Sequence, residues 1–148
     1  MHDCPKKLSL ILNKVNEIVK QKQLKTNPKI IVVTKKFSID KILPLIEAGH
    51  MNYGENKVQE AEDKWISVKK NYINLKLHFV GNLQSNKAKK AIKLFDYIHS
   101  LDNAKLASKI FQYQKELNKE VKLFISVNLG DEEQKSGVSL NKLNNFYD

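Results

Sequence analysis

Lys29-Ile30-Ile31-Val32-Val33-Thr34 is a β-branched run of strand length, followed at once by Lys35 and Lys36. Such a run reads as a strand buried on both faces, the habit of parallel sheets covered by helices. On its N-terminal side Leu8, Ile11, Leu12, Val15, Ile18 and Val19 recur at helical spacing and predict an amphipathic helix over 6–25. On its C-terminal side Ser38 is placed as an N-cap, with Ile39, Ile42, Leu43 and Ile46 on one face. Pro44 should kink that helix or displace its start, and Gly49 should end it. The opening is therefore helix, strand, helix.

The same alternation continues downstream. Short strands are expected at 51–55, 76–81 and 96–100, and the clearest at 121–127 (VKLFISV). Between them lie helical stripes: Val58, Ala61, Trp65 and Val68; Ala88, Ala91, Ile92 and Phe95; Leu106, Ala107, Ile110, Phe111 and Leu117. Residues 130–137 read as a polar loop and 139–147 as the start of another helix. Strands alternating with helices mean parallel βαβ units. Two architectures satisfy this: an open doubly wound sheet, or part of a (β/α)8 barrel, of which the chain supplies about five of the eight units. No linker or repeat divides residues 1–148, so a single domain is expected.

Composition narrows the function classes. The chain has 148 residues, 26 basic against 16 acidic, a net charge of +10, and one cysteine. Cys4 alone excludes an internal disulfide framework and a cysteine-based zinc site. No apolar run approaches the roughly 18 residues of a membrane helix, and the polar N-terminus is no secretory signal, so a reducing cytoplasm is expected. Every basic residue is lysine. Without arginine the bidentate grips typical of specific nucleic-acid recognition are missing, although a positive field attracts anions non-specifically. Solvated lysine-rich helix faces account for the same excess.

In parallel α/β folds chemistry sits beyond the carboxyl ends of the strands. The residues there are Thr34-Lys35-Lys36, Gly54-Glu55-Asn56, Gly81, Ser100 with Asp102, and Asn128. Lys35 is the sharpest candidate. A lysine at the end of a buried strand is partly desolvated, which favours the free amine. A free amine condenses with aldehydes to a Schiff base, and pyridoxal phosphate is the common partner. The competing reading is one more surface lysine. His78, inside a strand, reads first as a hydrogen-bonded core histidine. His2, His50, His78 and His99 lack metal-ligand spacing, and no Walker or GxGxxG phosphate loop occurs.

Five stretches carry a resemblance, in order: IIVVTK (30–35), EAGHMNYGENKVQE (47–60), LHFVGNLQSNK (77–87), IHSLDNAKLA (98–107) and VNLGDEEQKSGV (127–138). The chain resembles the pyridoxal phosphate homeostasis proteins, whose barrel is similar to the N-terminal domain of alanine racemase. The resemblance implies a partial (β/α)8 barrel of parallel strands alternating with helices, N-terminal helix first. It implies that Lys35 holds pyridoxal 5′-phosphate as a Schiff base, with Asn56 as a cofactor contact and His78 and Asn128 lining the barrel. Lys135 matches the family's KSG lysine. It further implies a cofactor-buffering role in vitamin B6 homeostasis rather than turnover.

Two departures stand out. The family's Lys-x-Lys-Pro is displaced, since Lys36, Phe37 and Ser38 follow Lys35. The family also continues through about three more strand–helix units, which in such barrels include the phosphate-gripping loops. The isolated chain is therefore expected to retain cofactor weakly. Its open sheet edges are also expected to pair with a second copy or another chain, unless the fold rearranges or is only marginally stable. A fragment that binds other proteins without cofactor, and a non-specific anion or nucleic-acid binder, are the other function classes.

Overall fold

A computed structural model describes residues 3–130, 134 and 136–147. Helix α1 (Cys4–Gln21) begins where Asp3 accepts a hydrogen bond from the Lys6 amide at 3.0 Å, with Pro5 in the first turn. It ends before residue 25 because Gln23 turns into the left-handed region at φ 48°. Only Leu8 of its apolar stripe is buried; Leu10, Ile11, Leu12 and Ile18 stay exposed.

Then come β1 (Val32–Val33), α2 (Ile39–Glu47), β2 (Asn52–Glu55), α3 (Val58–Asn71), β3 (Lys76–Phe79), α4 (Ala88–Leu94), β4 (Tyr97–Leu101), α5 (Ala104–Leu117) and β5 (Lys122–Ile125). A short 3-10 turn, Ser85–Lys87, leads into α4. Strands β6 (Val127–Asn128) and β7 (Val138–Ser139), the 3-10 turn Leu140–Lys142 and α6 (Leu143–Tyr147) complete the described chain.

Strand order decides the architecture. All five strands of the main sheet are parallel, and their order in space is their order in sequence, β1-β2-β3-β4-β5. A doubly wound sheet reverses direction at a switch point. This sheet does not, so it is a sector of a (β/α) barrel.

Alternation along the strands separates two faces. Tyr53, Leu77, Phe79 and Ile98 are sealed against the helices, where Ile42, Ile46, Ala61, Trp65, Ile92, Leu106 and Ile110 meet them. Tyr53 and Trp65 lie with ring centroids 5.0 Å apart. The inner face carries Val33, Gly54, His78, Tyr97, His99 and Phe124.

Three expectations are corrected. Strand β1 is an edge strand pairing with β2 alone among the described residues, and Val33 on the inner face is 46% exposed rather than buried. Ser38 stands at the N-cap of α2 but makes no side-chain capping bond; Pro44 lies inside α2 without displacing its start at Ile39, and the helix stops before Gly49, φ +89°, as expected. The expected strand 121–127 breaks at Ser126. The Ser126 amide bonds Leu101 and its carbonyl accepts from Val138, so pairing passes from β4–β5 to β6–β7.

Candidate functional site

The turn after β1 is the best-defined part of the carboxyl-terminal edge. The Phe37 amide donates to the Thr34 carbonyl at 3.2 Å, closing a β-turn with Lys35 and Lys36 at its centre. Lys36 has φ 66°, the positive value that a type II turn demands at that position and that a side chain disfavours. Three groups hold the turn in place. The Thr34 hydroxyl donates to Glu55 Oε1 at 2.8 Å. Lys64 Nζ donates to the Thr34 carbonyl at 2.9 Å. The Lys36 amide donates to Glu60 Oε1 at 2.8 Å.

Glu55 is the hub. It is 0% exposed, and its Oε1 also accepts from Lys64 Nζ at 2.8 Å and from Trp65 Nε1 at 3.0 Å. Lys64 is itself nearly sealed and reaches Glu60 at 3.5 Å. Glu60 is held below the usual carboxylate range, chiefly by the bond from the Lys36 amide and then by the Lys64 charge. Lys35, on this braced turn, is exposed, and its ammonium has no hydrogen-bond or ion-pair partner among the described residues. The expected partial desolvation is therefore absent: β1 is an edge strand and its inner face is open.

Asn56 leaves β2 level with Lys35, since each lies two residues beyond the pair Val33↔Gly54. Gly54 lets the strands close up: a Cβ there would meet Ile31 and Val33 methyl groups at 3.2 and 3.3 Å. Gly81, after β3, lies against the Asn56 backbone, where a Cβ would fall 2.2 Å from the carbonyl oxygen. Asn56 lines a cleft of about 210 Å³ with Gln59, Phe79, Asn82, Gln84 and Lys87.

His78 sits one layer deeper, level with Gly54 on the inner face. Its Nε2 donates to Asn52 Oδ1 at 3.2 Å, which leaves Nδ1 to accept from His99 Nε2 at 3.0 Å. It stacks on Tyr97 at 4.3 Å, and His99 stacks on Phe124 at 4.5 Å. Burial, then the neighbouring His99 and Lys29, push the His78 pKa down to about 4 against a smaller opposing pull from Asp96. Burial lowers His99 as well. Above about pH 6.5 His78 is neutral in both folded and unfolded chains.

Between about 6.5 and 4 the unfolded chain takes up the proton first, so stability falls as the pH falls. The His78 contribution to that loss is about 2 to 3 kcal/mol. Urea unfolding at pH 7 and pH 4.5 should show it as a difference between the protein and His78→Gln. Equal acid losses in the two would refute it.

Lys35, Asn56 and His78 thus gather on β1, β2 and β3. Asn128 lies on β6, just past the end of β5 at the other end of the strand order, half-buried beside Gly137. Lys135 lies outside the described residues. Sequence reasoning placed Glu55 and Gly81 at the carboxyl edge without giving either a role, and it passed over Lys64 and Glu60. The one available signal was Glu60 and Lys64 at i,i+4, with Lys64 beside Trp65 on the buried stripe.

Comparison with known proteins adds the family. The profile of the alanine racemase N-terminal domain matches residues 10–148. The chain belongs to that family. Its relatives within it are pyridoxal phosphate homeostasis proteins. The one from Haemophilus influenzae is 36% identical over 132 residues, covering 88% of this chain and 56% of that protein. The one from Synechocystis is 39% identical over 109 residues, covering 74% and 50%. PipY of Synechococcus elongatus, solved without PLP, superposes with a TM-score of 0.73 at 34% identity, covering 87% of this chain and 60% of that one. A second PipY structure has PLP bound, and matches with a TM-score of 0.69 at 30% identity over 89% and 63%. The chain spans about half the length of the curated relatives it matches. Within this family fold, β1 to β5 form the first part of the barrel. Among the described residues no helix is long and apolar enough to cross a membrane.

Proposed function

We propose that the chain binds pyridoxal 5′-phosphate through a Schiff base on Lys35 and serves vitamin B6 homeostasis in the cytoplasm, holding and releasing the cofactor without turning it over. The observation that carries this reading is the exposed ammonium of Lys35, without a partner among the described residues, on a turn braced by Glu55, Lys64 and Glu60. A primary amine held in place but bonded to no neighbour can condense with an aldehyde with loss of water, and pyridoxal phosphate supplies the aldehyde together with an electron-accepting ring. Asn56, at the same level on the next strand, is the proposed polar contact. His78, kept neutral by burial, supports the inner wall from below, and Asn128 is proposed to line the far side. The relatives' names and the PLP-bound PipY structure support the choice of ligand.

The test is a titration of the protein and of Lys35→Ala with pyridoxal phosphate, followed by borohydride reduction and peptide mapping. The expected result is label concentrated on one of the 26 lysines, Lys35, and lost in the variant. Weak label scattered over many lysines, unchanged by Lys35→Ala, would refute the proposal.

A further inference from the structure

We infer that Glu55, Lys64 and Glu60 form a positioning clamp for Lys35, acting through Thr34 and the Lys36 amide. The inference rests on the proposed binding role of Lys35 and deepens it by naming what presents the amine. The clamp groups come from β2 and α3, whereas the turn they hold follows β1. Thr34 is gripped at both polar groups, its hydroxyl by Glu55 and its carbonyl by Lys64. On the other side of Lys35, the Lys36 amide is gripped by Glu60. The lysine between them is the one residue of the three left without a tie.

The backbone supplies an independent observation. Lys36 holds φ 66° without being glycine, a conformation that persists only where the surroundings over-determine it. Here the surroundings are the Glu60 carboxylate on its amide and the turn bond from Phe37 to Thr34. An unconstrained turn at an edge strand would let Lys35 sample many positions, and each would cost effective concentration toward a bound aldehyde. The clamp removes that freedom while leaving the ammonium itself unpaired.

Charge disposition fits the same role. Lys64 spends its donors on the Thr34 carbonyl, Glu55 and Glu60, so it stands as an inward-facing cation rather than a competing free amine. Glu55 directs Oε1 at Thr34, Lys64 and Trp65, and none of these partners is Lys35. The acid therefore braces the loop without forming an ion pair with Lys35. Glu55, Lys64 and Glu60 are positioning residues by this reasoning, not groups that touch the ligand.

Thr34→Val removes the hydroxyl at nearly constant shape, and Thr34→Ser restores it. Glu60→Ala releases the Lys36 amide from a half-buried position and serves if Thr34→Val fails to fold. Three readouts are taken on each: amide hydrogen exchange of residues 35–37, the melting temperature, and the share of borohydride-trapped pyridoxal phosphate found on Lys35 relative to all other lysines. With the melting temperature within a few degrees of the parent, Thr34→Val and Glu60→Ala should speed exchange in the turn and lower the Lys35 share by about tenfold, the scale of one hydrogen bond. Thr34→Ser should recover both.

Unchanged exchange, or an unchanged Lys35 share with faster exchange, would overturn the clamp. If the parent protein traps label at scattered lysines while turn exchange still responds to the variants, the binding proposal fails and the clamp as a loop-ordering device stands.

Discussion

Glu55→Ala is expected to lower the free energy of unfolding by about 3 to 5 kcal/mol, the cost of leaving one member of a buried ion pair uncompensated. The residue is fully buried, and three donors converge on one of its oxygens: the Thr34 hydroxyl, Lys64 Nζ and Trp65 Nε1. Truncation takes an acceptor from all three, and the Thr34 hydroxyl keeps only its 3.4 Å contact to the Gly54 carbonyl. Among the described residues the indole N–H, deep in the core, has no other acceptor, and Lys64 keeps only the Thr34 carbonyl and the longer contact to Glu60. A cavity the size of a carboxymethyl group adds to the loss.

Lys64→Met should cost less, because the Glu55 carboxylate retains the hydroxyl and indole donors. Urea denaturation of the two variants beside the parent at pH 7 measures both. A Glu55→Ala loss under about 1 kcal/mol, the size of an exposed pair, would show that the Glu55–Lys64 contact is solvated and contributes little.

Gly81→Ala is expected to destabilise the protein by about 3 kcal/mol, at the upper end of overpacking costs. The added methyl would lie 2.2 Å from the Asn56 carbonyl oxygen and 2.8 Å from two further Asn56 backbone atoms. Those neighbours are main chain, not the end of a flexible side chain, so no rotamer change relieves the clash. Either the loop after β3 lifts away or Asn56 is displaced from its place beside the Lys35 turn.

Gly49→Ala is the control. Its Cβ would meet nothing within 4 Å, and only the φ of +89° penalises it, at about 1 kcal/mol. Thermal melts of both variants should therefore separate clearly. Equal losses would mean that the close approach at Gly81 relaxes freely.

Much of the site was legible in the chain as written. The position of Lys35 after a β-branched run, and of Asn56 after the next short strand, follows from periodicity and from the carboxyl-edge rule for parallel sheets. Gly49 as a helix stop and Trp65 as a core anchor were equally readable, since both depend on residues within one element. The burial of β1 was not. A run of Ile and Val looks the same whether its strand is central or at an edge, and the exposure of Val33 follows from which strands flank it. Ser38 illustrates a smaller failure. Its type and place suit an N-cap, yet its side chain makes no capping bond in the folded chain.

The amino-acid sequence by itself determined the alternation of helix and strand, the parallel sense of the sheet and the identity of the lysine at its edge. Each of these is encoded by patterns that repeat within ten or twenty residues. Tertiary structure decided the strand order that separates a barrel sector from a doubly wound sheet. It also decided the meeting of Thr34 with Glu55 and Lys64 across 21 and 30 residues of chain, and the contact of Gly81 with Asn56. The physical reason is that hydrophobic periodicity is a local property of the chain. A buried charge pair or a backbone close approach exists only after distant segments have packed and excluded water.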